Sequence, residues 1–312
     1  MAKTAVVAIG GNALIKDSAH QTVPDQLKAT IETCSHLASI IQSGWRIVIT
    51  HGNGPQVGFI LMRSELSRHV LHEVPLDFCV ADTQGAIGYM IQQSLRNELK
   101  KRNIDNQITT VVTQVLVDKD DPAFKNPTKP LGPFYDREKA MKYKAELGWE
   151  IAEDAGRGWR RVVPSPIPLQ IIELNVIESL VKRGITVIAL GGGGIPVIIE
   201  GGRLKGVEAV IDKDYASGLL AASIKTDLFL ILTSVEKVAL NYGKPDQKWL
   251  DRLTLKEARE YLSGGHFLPG SMGPKIEAAI SYLEHGGKKV LVTSPENLER
   301  ALAGKTGTVI LA

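Results

Sequence analysis

Four consecutive glycines, Gly191 to Gly194, stop an apolar run that extends from Ile185 to Leu190. The run reads as a strand buried on both faces. Four glycines carry a backbone-entropy cost, which a fold tolerates where the chain must come very close to a ligand. Close approach with free N–H groups suits a phosphate, although a glycine run alone also suits a flexible loop. The same punctuation occurs twice earlier. Thr4 to Ile9 (TAVVAI) runs into Gly10-Gly11-Asn12, and Arg46 to Thr50 (RIVIT) runs into His51-Gly52-Asn53-Gly54-Pro55. Strand, glycine turn and helix in succession make a parallel sheet covered on both faces. In such sheets ligands sit beyond the carboxyl ends of the strands, so the three glycine clusters fall on one edge and can face one ligand.

The remaining periodicities fill in an α/β chain read as one domain over residues 1–312. Pro24 to Gln42 places Leu27, Ile31, Cys34, Leu37, Ala38 and Ile41 on one helical face. Val57 to Arg68, Leu76 to Lys100, Leu255 to Leu262 and Lys275 to Glu284 also read as helices. Gln107 to Val117, Asp227 to Leu232, Lys289 to Thr293 and Thr308 to Leu311 read as further strands, for a sheet of about eight. Between Asp118 and Pro168 seven of the fifteen prolines cluster, which marks this stretch as an inserted, protruding subdomain or lid. Lys129 lies within it, between Pro127 and Pro130, as either a solvated cation or one aimed at a ligand.

Charged residues cluster near two helix starts. Asp212-Lys213-Asp214 sets a lysine between two carboxylates, ahead of an apolar helical run to Ile224. Gly270-Ser271-Met272-Gly273-Pro274-Lys275 introduces another helix with a cation near its N-terminus, where the helix dipole disfavours it; a bound anion reverses that penalty. Asp212 is either a ligand or a cap, and His51 reads as a polar residue bonded to neighbouring loops. A net charge of +3 with 5% aromatic residues gives no footprint for nucleic acid. No segment approaches the ~18 apolar residues of a membrane span, so a cytoplasmic protein is expected. Cys34 and Cys79 read as buried thiols, with no metal site implied. Gly304-Lys305-Thr306 imitates a nucleotide-binding P-loop, but Glu299 stands where its first glycine belongs.

The motifs AIGGNAL (8–14), HGNGPQVG (51–58), DPAFKNPTKPLGPFY (121–135), GWRRVVPSP (158–166), ALGGGGIPV (189–197), VIDKDYAS (210–217), LTSVEKVALNYGKP (232–245) and GSMGPK (270–275) resemble those of the carbamate kinases of the amino acid kinase family. The resemblance covers nearly the whole chain. It implies a three-layer αβα sandwich around a mainly parallel sheet, with a small protruding subdomain, and a homodimer. It also implies reversible phosphoryl transfer between ATP and carbamate, expected to run toward ATP in breakdown of arginine or purines, with Mg²⁺ carried on the nucleotide. Related kinases of the family carry a lysine two positions before the first glycine pair. Ala8 stands there in this chain, and Lys213 is the replacement that carbamate kinases use.

Set against that chemistry, the residues take expected roles. Lys213 and Lys275 stabilise the moving charge, and Asp214 holds the two ammonium groups. Gly10, Gly11, Asn12, Gly191, Gly192, Gly193 and Gly194 bind phosphate. Gly52, Asn53 and Gly54 hold the carbamate, and Lys129 closes over it. Thr233, Ser234, Val238, Tyr242 and Met272 are expected at the nucleotide. Carbamate is already an anion, so no general base is needed, and no dedicated carboxylate cage for a metal is seen. A sister kinase for another small acid and a catalytically silent nucleotide-binding regulator are the alternatives. Ala8 and the 118–168 insertion argue against the first, and the intact lysine and aspartate set against the second.

Overall fold

The computed structural model describes every residue except Met1, Asn12, Ala13, Lys16, Ser18, residues 154–157 and Pro269. Eight strands form its main sheet: β1 (Thr4–Ile9), β2 (Arg46–His51), β3 (Ile108–Thr110), β4 (Thr186–Ile188), β5 (Leu228–Leu232), β6 (Arg252–Thr254), β7 (Val290–Thr293) and β8 (Thr308–Leu311). Their order is β6-β8-β7-β5-β1-β2-β4-β3. All neighbours pair in parallel except β7 with β8. In the register, Ile9 lies opposite His51 on one side and Leu232 on the other. Three strands therefore end in one row, and Gly10, Gly52 and Thr233 leave the sheet side by side.

The β-branched runs of the central strands are buried on both faces, and successive residues serve different layers. Ala5, Val7, Ile9, Ile47 and Ile49 pack under α1 (Val23–Gln42) and α3 (Leu76–Lys101), against Leu37, Ile87 and Ile91. Val6, Ala8, Val48, Phe229 and Ile231 pack on the other side, where α4 (Lys213–Ser223) and α5 (Met272–Glu284) contribute Leu220, Ile276 and Ala279. Burial of each such Val, Ile or Leu side chain stabilises the fold by roughly 1.5–3 kcal/mol. The result is the expected three-layer αβα sandwich. No helix among the described residues is long and apolar enough to cross a membrane.

Three expectations change. Gln107 to Val117 is two strands: β3 ends at Thr110, and Gln114–Val117 joins a separate four-stranded sheet with Pro168–Ile171, Ile195–Glu200 and Arg203–Gly206. The buried amide of Gln84 enforces the break. Its Oε1 accepts the Thr113 N–H at 2.8 Å, and its Nε2 donates to the carbonyls of Thr113 and Gly191 at 3.0 and 3.1 Å. The helix expected from Val57 starts three residues earlier, as α2 (Gly54–Ser67), with Pro55 in its first turn where proline's missing N–H costs nothing. Likewise α5 starts at Met272, so Lys275 stands inside its first turn. Between residues 118 and 168 the chain builds a three-stranded antiparallel sheet, Lys129–Tyr135, Ile151–Glu153 and Trp159–Val163, with the helix Arg137–Leu147 between its first two strands.

Candidate active site

At the row of strand ends, a chamber of about 220 Å³ opens beside a larger cleft of about 790 Å³. Gly11, Lys213, Gly270 and Lys275 wall both spaces. The two ammonium groups stand at the junction and converge on Asp214: Lys213 Nζ lies 2.5 Å from Oδ1, and Lys275 Nζ lies 3.2 Å from Oδ2. Lys275 Nζ also donates to the Ser271 carbonyl at 3.2 Å. The lysine side chains are 13% and 14% exposed and that of Asp214 is 5%, so the triad is shielded but open to a ligand. Burial acts to raise the Asp214 carboxyl, yet the charges of Lys213 and Lys275 outweigh it and hold the group below the ordinary carboxylate range.

The sequence places this triad through helix starts. Asp212 caps α4 by accepting the Asp214 N–H on Oδ1 at 2.9 Å, which fixes Lys213 and Asp214 in the first turn. Ser217 Oγ donates to the Lys213 carbonyl at 2.5 Å and lies 2.6 Å from Thr50 Oγ1, pinning that turn to β2. The other oxygen of Asp212 takes Lys129, at 2.7 Å. Asp212 is thus both a cap and an ion-pair partner, a double role that the sequence left undivided. The unfavourable position of Lys275 at a helix N-terminus is met by Asp214, a counter-charge within the protein itself.

The small chamber receives Gly52, Asn53 and Gly54 at the N-terminus of α2, together with Lys129 and Gly192. Asn53 is held by donation from Nδ2 to Thr83 Oγ1 at 2.8 Å. Gly192 has φ +67°, and a Cβ there would come within 2.0 Å of the Asn53 amide. A Cβ on Gly191 would lie 2.7 Å from the His51 ring. The glycine run therefore lets the chain lie against other protein atoms as much as against a ligand. Gly193 and Gly194 use their N–H groups inside the turn, on the carbonyls of Leu190 and Gly191 at 3.0 and 3.1 Å. That corrects the expectation of four glycines donating outward; Gly192 is the one that walls the chamber. His51 is fully buried, its Nδ1 donating to the Gly52 carbonyl at 3.0 Å, and burial pushes its pKa down to about 4. It is neutral at physiological pH and bonded to its own loop.

The larger cleft takes Gly10, Thr233 and Ser234 on the side of β1 and β5, and Glu32, His36 and Glu296 farther out. Glu32, His36 and Glu296 carried no sequence motif. The Gly10 N–H is already bonded to the Leu232 carbonyl at 3.0 Å. Val238 does not reach the cleft with its side chain: it is 0% exposed in the core, because it lies in the short buried strand Val238–Leu240. Tyr242 is half-exposed with its ring against Trp249, and Met272, the first residue of α5, packs against the core. Asn12 lies outside the described residues. Among the described residues no three His, Cys, Asp or Glu side chains gather to hold a metal ion.

The sequence matches the amino acid kinase family over residues 3–294. Carbamate kinases of Thermococcus kodakarensis and Pyrococcus furiosus are 52% and 49% identical to this chain, with 99% and 100% of both partners covered. The structure of carbamate kinase from Giardia lamblia bound to AMP-PNP superposes with a TM-score of 0.93 at 43% identity, covering 99% of this chain and 98% of that one. With the αβα sandwich and the lysine-lined rim in place, these matches show that the chain belongs to the amino acid kinase family.

Proposed function

We propose that the chain is a carbamate kinase, catalysing reversible phosphoryl transfer between ATP and carbamate to give ADP and carbamoyl phosphate. The observation that carries the reading is the meeting of a small chamber and a large cleft at Lys213 and Lys275. A one-carbon acid suits the first space and a nucleotide the second. In the forward step a carbamate oxygen attacks the γ-phosphorus. The new O–P bond forms as the bond to the β–γ bridging oxygen breaks, and ADP keeps that electron pair. The attacking oxygen of the carbamate anion carries no proton, so the step needs no base, which fits a neutral, enclosed His51.

Phosphoryl transfer is mostly positioning and charge stabilisation. Lys213 and Lys275 supply the charge at the junction of chamber and cleft, and Asp214 holds both ammonium groups there. Gly11, which walls both spaces, offers backbone to phosphate oxygens, while Gly52, Asn53 and Gly54 hold the carbamoyl end. Lys129 faces the same chamber from the 118–168 segment, which serves as its lid. Thr233 and Ser234 lie on the nucleotide side. The oxygens of Asp212 and Asp214 are already engaged by ammonium and N–H groups, so Mg²⁺ belongs to the nucleotide substrate and is held through its phosphates. The assignment extends to a cytoplasmic homodimer making ATP. Incubation with ADP, Mg²⁺ and carbamoyl phosphate tests the reading: ATP accumulates with the protein present, and a rate no higher than without protein contradicts it.

A further inference from the structure

We infer that Glu65 is a positioning residue for the reaction: from α2 it anchors the far end of the strand Lys129–Tyr135 and so fixes Lys129 over the small chamber. Glu65 accepts hydrogen bonds from two phenols of the 118–168 segment, Tyr135 at 2.9 Å and Tyr143 at a shorter distance. Its side chain is 13% exposed, with Lys139 Nζ 3.8 Å away. The Tyr135 and Tyr143 rings meet edge-on at 5.3 Å, and Trp149 closes on Tyr143 at 4.9 Å. A nearly enclosed carboxylate with two phenol donors is a specific joint. Charge-assisted hydrogen bonds are about twice as strong as neutral ones, and losing the acceptor strands both hydroxyls.

Geometry connects this joint to the chemistry. Helix α2 begins at the chamber with Gly54 and carries Glu65 near its other end. The strand Lys129–Tyr135 lies along it. Val57 packs with Leu131, and a Cβ on Gly58 would stand 3.2 Å from Gly132 Cα. Tyr135 at the end of the strand is fastened to Glu65, while Lys129 at its start is paired with Asp212 at 2.7 Å. Substrate loop, lysine and joint thus share one helix as a splint. Nothing in the sequence singles Glu65 out, because both partners are distant along the chain.

The inference rests on the reading of Lys129 as a substrate-facing group, and a double-mutant cycle separates the two. The KM for carbamoyl phosphate, the KM for ADP and kcat are measured for wild type, Glu65→Gln, Lys129→Ala and the double variant, with ATP formation as the readout. Glu65→Gln is expected to raise the carbamoyl phosphate KM roughly tenfold, as for loss of a charged hydrogen bond, and to change the ADP KM by less than about twofold. In the Lys129→Ala background the same substitution has no further effect on KM. Tyr143→Phe, which keeps the ring and removes one donor, gives a smaller rise in the same parameter and serves should Glu65→Gln fold poorly. An unchanged carbamoyl phosphate KM overturns the joint, as does an equal rise in both KM values. If Lys129→Ala raises KM and Glu65→Gln adds the same factor on top, only the joint fails. If Lys129→Ala alone leaves KM unchanged, the reading of the lysine fails and the joint with it.

Discussion

Lys213 and Lys275 approach the two oxygens of a single carboxylate, that of Asp214, from the first turns of two different helices. Two ammonium groups against one carboxylate leave a surplus of one positive charge at the junction of chamber and cleft. The arrangement is anchored on three sides, by the Asp212 cap, by the Ser217–Thr50 contact to β2 and by the Ser271 carbonyl. Such preorganisation matters because donors fixed before the reaction need no reorientation as charge develops.

Asp214→Asn is expected to weaken the fold and the site together. Removing one partner of a buried ionic group typically costs about 3–5 kcal/mol. The pH dependence has a definite sign. The Asp214 carboxyl is held below its ordinary value in the folded protein, since the two lysines outweigh its burial. Its contribution is therefore complete above the unfolded carboxylate pKa of about 3.9 and disappears as pH falls through the lower folded value. Urea unfolding at pH 7, 5 and 3 should show the gap between wild type and variant equal at the first two and smaller at the third. A gap that is absent at pH 7 contradicts the pairing.

His51 should stay neutral well below its usual range. Burial lowers its pKa from 6.5 to about 4, so the unfolded chain binds a proton in that interval and the folded one does not. Stability therefore declines as pH drops from about 6.5 to 4, by about 3 kcal/mol in all from this group. An NMR titration of the imidazole checks this, with a midpoint near 4 expected. A midpoint near 6.5, or a limb in the rate profile assigned to His51, would count against an enclosed histidine.

Much of this was legible in the sequence because it is local. Runs such as TAVVAI and RIVIT followed at once by glycine define both a buried strand and its carboxyl end. Asp212-Lys213-Asp214 announces a charged helix start. What was not legible depends on partners remote along the chain. Val111 to Thr113 is as β-branched as a strand, and only Gln84, on another helix, shows why β3 stops before it. Gly54 to Gln56 reads as loop until Pro55 is seen inside the first turn of α2. Val238 belongs to an apolar run whose burial cannot be told from contact with a ligand. β6, of three residues, carries too few positions to show a period.

Gly192→Ala separates close packing from mere backbone freedom. The new Cβ would meet the Asn53 amide at 2.0 Å in a left-handed conformation, φ +67°. Strain and overpacking together should cost roughly 2 kcal/mol or more and raise the KM for carbamoyl phosphate by displacing Asn53. Gly201→Ala is the control: its φ of +57° is equally left-handed, but a Cβ there meets nothing within 4 Å. It should cost about 1–2 kcal/mol and leave KM alone. Equal KM values for the two variants would remove the approach of Gly192 to Asn53 from the account.

The central claim is tested most directly by the turnover number for ATP formation from ADP and carbamoyl phosphate in Lys213→Ala and Lys275→Ala, with circular dichroism to verify the fold. Each variant should lose at least ~10²-fold in kcat, as expected on removal of a preorganised charge donor. A loss of less than tenfold in either folded variant would contradict a shared charge-stabilising role for the two lysines.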